Sequence, residues 1–458
     1  GSIEGITEQA LWQSVTPDPH GDWLNQRDDG FQQYIVMGDK SGTESLKLFE
    51  NYSRGIETTR DAWCYNPSRH AVEANMKRMI DFYNTEVDRF SEASKEKDRT
   101  SRKTMADGFV NMDPTKISWS SSLITRIVNL KTGEFDAKKI TRSMYRPFGK
   151  CWLYFDAMFN HRPYQMPKIF PDSAAENLVI AMTAIGSRNG FSCLMSNKVT
   201  DLNSMEAGAQ CFPLYLYDED ERAENPPDSR MDSLFADHAP VTPGRKKRYA
   251  LTDEGLEHFR KSYPGIEISK EDVFYYVYGL LHSPDYRAKY ADNLAKELPR
   301  IPCMPGVDRF WAFCQAGRDL AGLHLNYETI EPYPLTLTVH GDPKLTDADY
   351  RVEKMRYGKE DKIKDLTTIH YNDRITISGI PLEAYEYIVN GKPALDWVVE
   401  RQCVKTDKDS GIVSDANDWA LETMNNPKYP LELVGKVVAV ALATQRIIGN
   451  FELYRPTP

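Results

Sequence analysis

The chain has 458 residues, 41% hydrophobic and 27% charged, with a formal net charge of −10. This is globular composition, long enough for two or three domains, and it excludes a disordered or fibrous chain. Mean hydropathy is −0.56, and no apolar run approaches the roughly 18 residues of a membrane-spanning helix.

No secretory leader opens the chain, and Gly1-Ser2 resembles a cloning remnant, so a piece of a longer polypeptide is expected. Residues 3–66 mix turn formers with aromatics and predict an irregular segment holding one short strand, Tyr34-Ile35-Val36-Met37, before Gly38. A long helix is predicted from Pro67, capped by Asn66 or Ser68. Val72, Met76, Met79, Ile80, Tyr83 and Val87 recur in it at helical spacing. Its continuation, residues 91–103, is charged on all sides and predicts a solvated helix end or a mobile loop. Short strand and helix signals alternate over residues 117–170, with a turn at Lys131-Thr132-Gly133-Glu134 and a strand at 151–155. Further strands are expected at 178–182 and 212–217, in a mixed sheet. Residues 218–248 begin acidic, contain Pro226-Pro227 and end in Arg245-Lys246-Lys247-Arg248, which predicts a polar linker and the best domain boundary.

Residues 269–328 predict helices. Ser269 and Asp272 form a capping pair ahead of Phe274, Val277, Tyr278 and Leu281. Pro284 opens a second helix with Tyr290, Leu294 and Leu298, and residues 317–325 form a third, short one. Strands are expected at 335–339, 368–371 and 374–377. Two short helices split by Asn390-Gly391 follow, with Pro393 at a helix start, where its missing N–H costs nothing. The last helix spans about residues 431–448.

Few motifs carry chemistry. Asn225-Pro226-Pro227-Asp228 is near the Asn/Asp-Pro-Pro-aromatic loop of base-directed amino-methyltransferases. Asp228 cannot stack on a base, so two prolines in a linker is the better account. Gly186-Ser187-Arg188-Asn189-Gly190 predicts a tight turn, one whose polar side chains suit a phosphate or base edge. His161, His282 and His324 sit among apolar residues and predict packed histidines rather than metal ligands. The seven cysteines are dispersed without a CxxC pair, as expected of reduced cytoplasmic thiols.

Charge is uneven. Residues 60–168 carry 20 Lys/Arg against 13 Asp/Glu, while the whole chain is acidic. Within that stretch Lys116-Ile117-Ser118-Trp119-Ser120-Ser121 and residues 142–150, RSMYRPFGK, interleave cations, hydroxyls and aromatics. That combination suits nucleic acid: charge for phosphates, short donors for bases, faces for stacking. The alternatives are an ordinary solvated surface, with Trp119, Tyr145 and Phe148 in the core.

Several strings together resemble one family. They are residues 22–29 (DWLNQRDD), 59–66 (TRDAWCYN), 145–148 (YRPF), 272–284 (DVFYYVYGLLHSP), 379–385 (GIPLEAY) and 404–412 (VKTDKDSGI). In this order they are similar to the C-terminal region of bacterial type ISP restriction-modification proteins. The resemblance implies a methyltransferase trailing segment at 1–66, a DNA-reading target-recognition part at 67–250, a helical spacer at 251–330 and a C-terminal part at 331–458. It implies an α+β fold: a mixed-sheet recognition domain, a helical spacer and a smaller C-terminal α/β part. The expected function is sequence-specific recognition of double-stranded DNA, placing an adenine for N6-methylation by an upstream domain. This segment itself would perform no chemistry and hold no cofactor. S-adenosylmethionine, ATP and Mg would serve the parent protein, whose upstream methyltransferase and motor are the other expected partners. Residue types alone nominate Lys116, Ser118, Trp119, Ser120, Arg142, Ser143, Arg146, Lys150, Ser187, Arg188, Asn189, Asn197 and Lys198 for DNA contact. Rival readings are a structural coupler between motor and methyltransferase, and a stand-alone enzyme with an unrecognised site.

Overall fold

Capping side chains decide where the helices begin. Ser68 accepts from the Ala71 N–H and starts the helix Arg69–Ala93, which buries Val72, Met76, Met79, Ile80, Tyr83 and Val87. The computed structural model describes residues 14–219 and 245–451, and Asn225-Pro226-Pro227-Asp228 lies outside them. The charged continuation is a second helix, Arg99–Phe109, because Asp98 caps it through the Ser101 N–H. Ser120 caps the short helix Ser121–Val128 in the same way.

Two four-stranded sheets follow. One runs Tyr65–Asn66, Gly149–Tyr154, Ile140–Arg146, Val199–Thr200, with only the last pair parallel. The other runs Ser53–Arg54, Gln210–Pro213, Val179–Met182, Cys193–Ser196, all antiparallel. The single strand expected at 212–217 is two. Gln210–Pro213 pairs with Val179–Met182, and past Leu214 the strand Tyr215–Glu219 changes partner to Arg245–Tyr249. The basic run expected in a linker is therefore a strand, and Arg248 within it pairs with both Asp218 and Glu50.

In the helical segment, Ser269 and Asp272 form the reciprocal capping box of Lys270–Leu280, and Pro284 opens Pro284–Lys289. The next long helix is Val307–Leu325, ten residues longer at its start than expected. Its N-cap is Gly306 at φ 86°, which gives no side-chain capping signal, while Phe310, Phe313 and Cys314 extend the buried stripe. It crosses Lys270–Leu280 at two glycines: a Cβ on Gly317 would lie 1.8 Å from the Tyr275 carbonyl oxygen.

The C-terminal part is an antiparallel sheet, ordered Thr336–Val339, Ile375–Ser378, Ile363–His370, Arg356–Glu360, with the helices Ala394–Arg401 and Tyr429–Gly449. Of the two short helices expected around Asn390-Gly391, the first is a single 3-10 turn, Leu382–Tyr385, and the second is Ala394–Arg401. Between them Ile388–Val389 and Lys392–Pro393 pair across a turn in which both central residues have positive φ, 51° and 84°. Pro393 is the N-cap of Ala394–Arg401 rather than its first residue. A single cluster of buried side chains runs from Phe31 to Phe451.

Candidate nucleic-acid interface

The thirteen nominated residues fall into three groups. Lys116, Ser118, Trp119 and Ser120 lie on the loop between the helices Arg99–Phe109 and Ser121–Val128. Buried Arg60 organises this loop from beneath, donating to the Ser118 carbonyl at 2.9 Å and to Ser120 Oγ at 2.7 Å. Ser120 is thus spent as cap and arginine acceptor. Trp119 packs 5.9 Å from Tyr83 and donates its indole N–H to the Asn111 carbonyl at 2.9 Å. Lys116 alone in this group is exposed.

The second group sits on the mixed sheet. Arg142 and Ser143 are neighbours on Ile140–Arg146, so they face opposite sides. Ser143 is fully buried and donates to the Val199 carbonyl at 2.7 Å, which takes it out of reach of a ligand. Arg142 is exposed, its guanidinium 5.3 Å from the Trp152 ring and 5.8 Å from the Trp419 ring. Arg146 turns inward to Asp201 Oδ1 at 2.6 Å, with only 12% of its side chain exposed. Burial, with Asp61 alongside, pushes the Asp201 carboxyl up to about 7 against the pull of Arg146. Lys150 pairs with Glu328 at 2.5 Å. Half-buried Lys198, next to Asn197 in the turn between Cys193–Ser196 and Val199–Thr200, is held below the usual lysine pKa. Burial is the main cause, followed by Lys150 and Arg142. Three cations therefore share one patch at the edge of this sheet.

The third group is the turn after Val179–Met182. Ser187 Oγ and the Asn189 N–H both bond Glu206 Oε2, at 2.7 and 2.9 Å, while the Arg188 side chain is exposed. Asn189 packs against Gly391 of the C-terminal turn, where a Cβ would fall 2.4 Å from its side chain.

Between the mixed sheet and the C-terminal part lies a cleft of about 320 Å³, lined on one side by Tyr145 and Arg146 and on the other by Arg401, Lys405 and Trp419. The sequence did not single out Arg401, Lys405 or Trp419. Lys405 stood in a string valued only for its resemblance, and Trp419 reaches the site only through the fold. His282 and His324 are buried as expected, and all seven cysteines are free thiols. Among the described residues no group of three or more His, Cys, Asp or Glu is placed to hold a metal ion. No helix among them is long and apolar enough to cross a membrane.

A family model for the Type ISP C-terminal specificity domain matches residues 47–433. The chain belongs to this family. No curated protein matches it. Solved structures do. The specificity domain is 34% identical to a nuclease-deletion mutant of the Type ISP restriction-modification enzyme LlaGI, solved in complex with a DNA substrate mimic. The TM-score is 0.78, over 98% of this chain and 36% of that one. It is also 34% identical to the ATP-dependent Type ISP enzyme LlaBIII bound to DNA, with a TM-score of 0.77 over 95% of this chain and 25% of that one. A cryo-electron-microscopy DrdV–DNA complex matches at 26% identity and a TM-score of 0.76, over 100% and 41%. The specificity domain thus spans well under half the length of these relatives. The expected α+β fold, with several separate sheets, is the observed one.

Proposed function

We propose that this specificity domain reads a short sequence in double-stranded DNA and so positions an adenine for N6-methylation by a domain upstream in the same polypeptide. The observation that carries the reading is the exposed Arg142, held between Trp152 and Trp419 beside Lys150 and Lys198, on a chain similar to enzymes solved on DNA. A planar guanidinium stiffened by two rings keeps its donor fork presented to solvent, the form that suits guanine edges and phosphates. Asn197 and Lys198 supply further reachable donors in the adjoining turn, and Lys116, Arg188 and Asn189 supply others on two separate loops. Ser120, Ser143, Arg146 and Lys150 support that surface from behind through the partners described above. Methyl transfer, ATP hydrolysis and strand cleavage fall to upstream domains, where S-adenosylmethionine, ATP and Mg would bind. The domain itself contributes recognition.

Selection of bound duplexes from a random pool, followed by competition at two salt concentrations, tests this. An enriched asymmetric site is expected. Arg142→Ala should cost about 1–3 kcal/mol at one position of that site if it reads a base. It should instead flatten the salt slope by about 0.9 if it binds a phosphate. Retention of duplexes without enrichment would leave only a coupling role between neighbouring domains.

A further inference from the structure

The cleft between the mixed sheet and the C-terminal part does not end at Lys405. Glu400, Cys403 and Lys405 also line a second groove of about 500 Å³, which continues between the helix Ala394–Arg401 and the hairpin formed by Arg356–Glu360 and Ile363–His370. Four lysines line it, Lys354, Lys364, Lys392 and Lys405, against two carboxylates, Asp396 and Glu400. On a chain of net charge −10 such a concentration of positive charge is a local feature that needs a reason.

Lys392 is paired with Glu400 and lies 4.1 Å over the Trp397 ring, so the other three lysines carry the groove's available charge. Among the described residues Lys354 and Lys405 have no ion pair, and both are exposed. Lys364 reaches Asp396 only at 3.5 Å and lies 3.8 Å over the Tyr357 ring, which steers its ammonium along the groove wall. The Cys403 thiol, at the join of cleft and groove, reports the same field. Burial raises its pKa, while Arg401, Lys405 and Lys354 all pull it down. The hairpin closes at its tip, where Asp361 and Lys362 both take the positive φ, 48° and 69°, of a tight two-residue turn.

We propose that this lysine-lined groove is a phosphate track, gripping the sugar-phosphate backbone of one DNA strand outside the segment whose bases are read. The inference rests on the DNA-recognition reading and adds to it a second contact surface, supplied by the C-terminal part. The groove is too small for a whole duplex and its lining is charged rather than apolar, so backbone is what it takes. Compact ammonium groups on flexible stems suit phosphates without selecting a base. The C-terminal part therefore raises affinity for every sequence alike.

The test uses the whole chain, the combined variant Lys354→Ala, Lys364→Ala, Lys405→Ala, and random-sequence duplex as probe across a series of salt concentrations. Each lysine that displaces a counterion contributes about 0.9 to the slope of log affinity against log salt, so the variant's slope should be shallower by about 2.7. Its preference among sequences should be unchanged. Lysine acetylation of the unsubstituted chain gives a second readout that does not depend on how the variant folds. Duplex should slow modification of Lys354, Lys364 and Lys405 relative to Lys261. An unaltered slope with unprotected lysines overturns the phosphate track and leaves DNA recognition standing. Absence of any duplex binding by the unsubstituted chain at low salt overturns both.

Discussion

Two arginines four residues apart, both nominated for DNA contact, have different lives. Arg146 forms an ion pair with Asp201, whose side chain is 1% exposed, and lies 3.9 Å over the Tyr145 ring. Without Arg146 the buried Asp201 carboxyl, already raised to about 7, takes up a proton and loses its partner, so Arg146→Ala should destabilise the fold by about 1–3 kcal/mol in urea unfolding. Arg142 is exposed and stacked on tryptophans, so Arg142→Ala should cost less than about 1 kcal/mol of stability while weakening DNA binding. An unchanged urea midpoint for Arg146→Ala would show that the pair is not structural. The sequence could not separate the two. Unbroken alternation would place both side chains on the same face, but a bulge between Met144 and Arg146 breaks the register, and Asp201 reaches Arg146 only after the parallel strand Val199–Thr200 is in place.

At the scale of elements, long periodic helices were legible and the points where the chain changes partner were not. Arg69–Ala93 and Tyr429–Gly449 announce themselves by apolar period. The split between Gln210–Pro213 and Tyr215–Glu219 hides inside one apolar run, because a partner some thirty residues away decides it. The start of Val307–Leu325 hides because a glycine caps it. That helix also carries two predictions. At its crossing with Lys270–Leu280, Gly317→Ala would drive a methyl into the Tyr275 carbonyl, and about 3 kcal/mol of destabilisation by chemical denaturation is expected. A cost below 1 kcal/mol would mean the helices can part freely. Farther along, His324 bonds the Tyr278 hydroxyl at 2.6 Å, the Tyr387 hydroxyl at 3.0 Å and Thr444 Oγ1 at 3.1 Å. Burial, then Arg287, lowers its pKa to about 3 from 6.5, and buried His282 is shifted the same way. A depressed folded-state pKa stabilises the fold above pH 6.5, and that contribution is lost as pH falls towards 3. His324→Gln should therefore be less stable than the parent at neutral pH. The gap should narrow by up to about 1.4 kcal/mol per pH unit below 6.5. A gap that stays constant down to about pH 4.5 would contradict this account.

For the whole molecule, the question is whether the expected divisions of the chain are units that fold alone. The structure argues for one cooperative body. The helix Tyr429–Gly449 buries Leu433, Val434, Val437, Val438, Val440 and Ala441. Its Gly435 lies against Pro332 and Tyr333, and its Thr444 completes the His324 network. Glu328, three residues past the helix Val307–Leu325, receives Lys150 from the mixed sheet and the Trp419 and Tyr429 side chains from the C-terminal part. Cutting the chain after residue 330 would expose the mating surface of that helix. At about 1.5–3 kcal/mol per fully buried large apolar side chain, the loss is comparable to the roughly 5–15 kcal/mol that holds a typical domain together. The intact chain should unfold in a single transition, with intrinsic fluorescence and far-ultraviolet circular dichroism changing together. A chain lacking residues 331–458 should give no cooperative transition and should aggregate. A stable, monomeric truncated chain that still bound duplex would establish the C-terminal part as a separate module. Without that outcome, the read surface at Arg142 and the lysine groove belong to one rigid frame, and the spacing between them is set by the same core that keeps the protein folded.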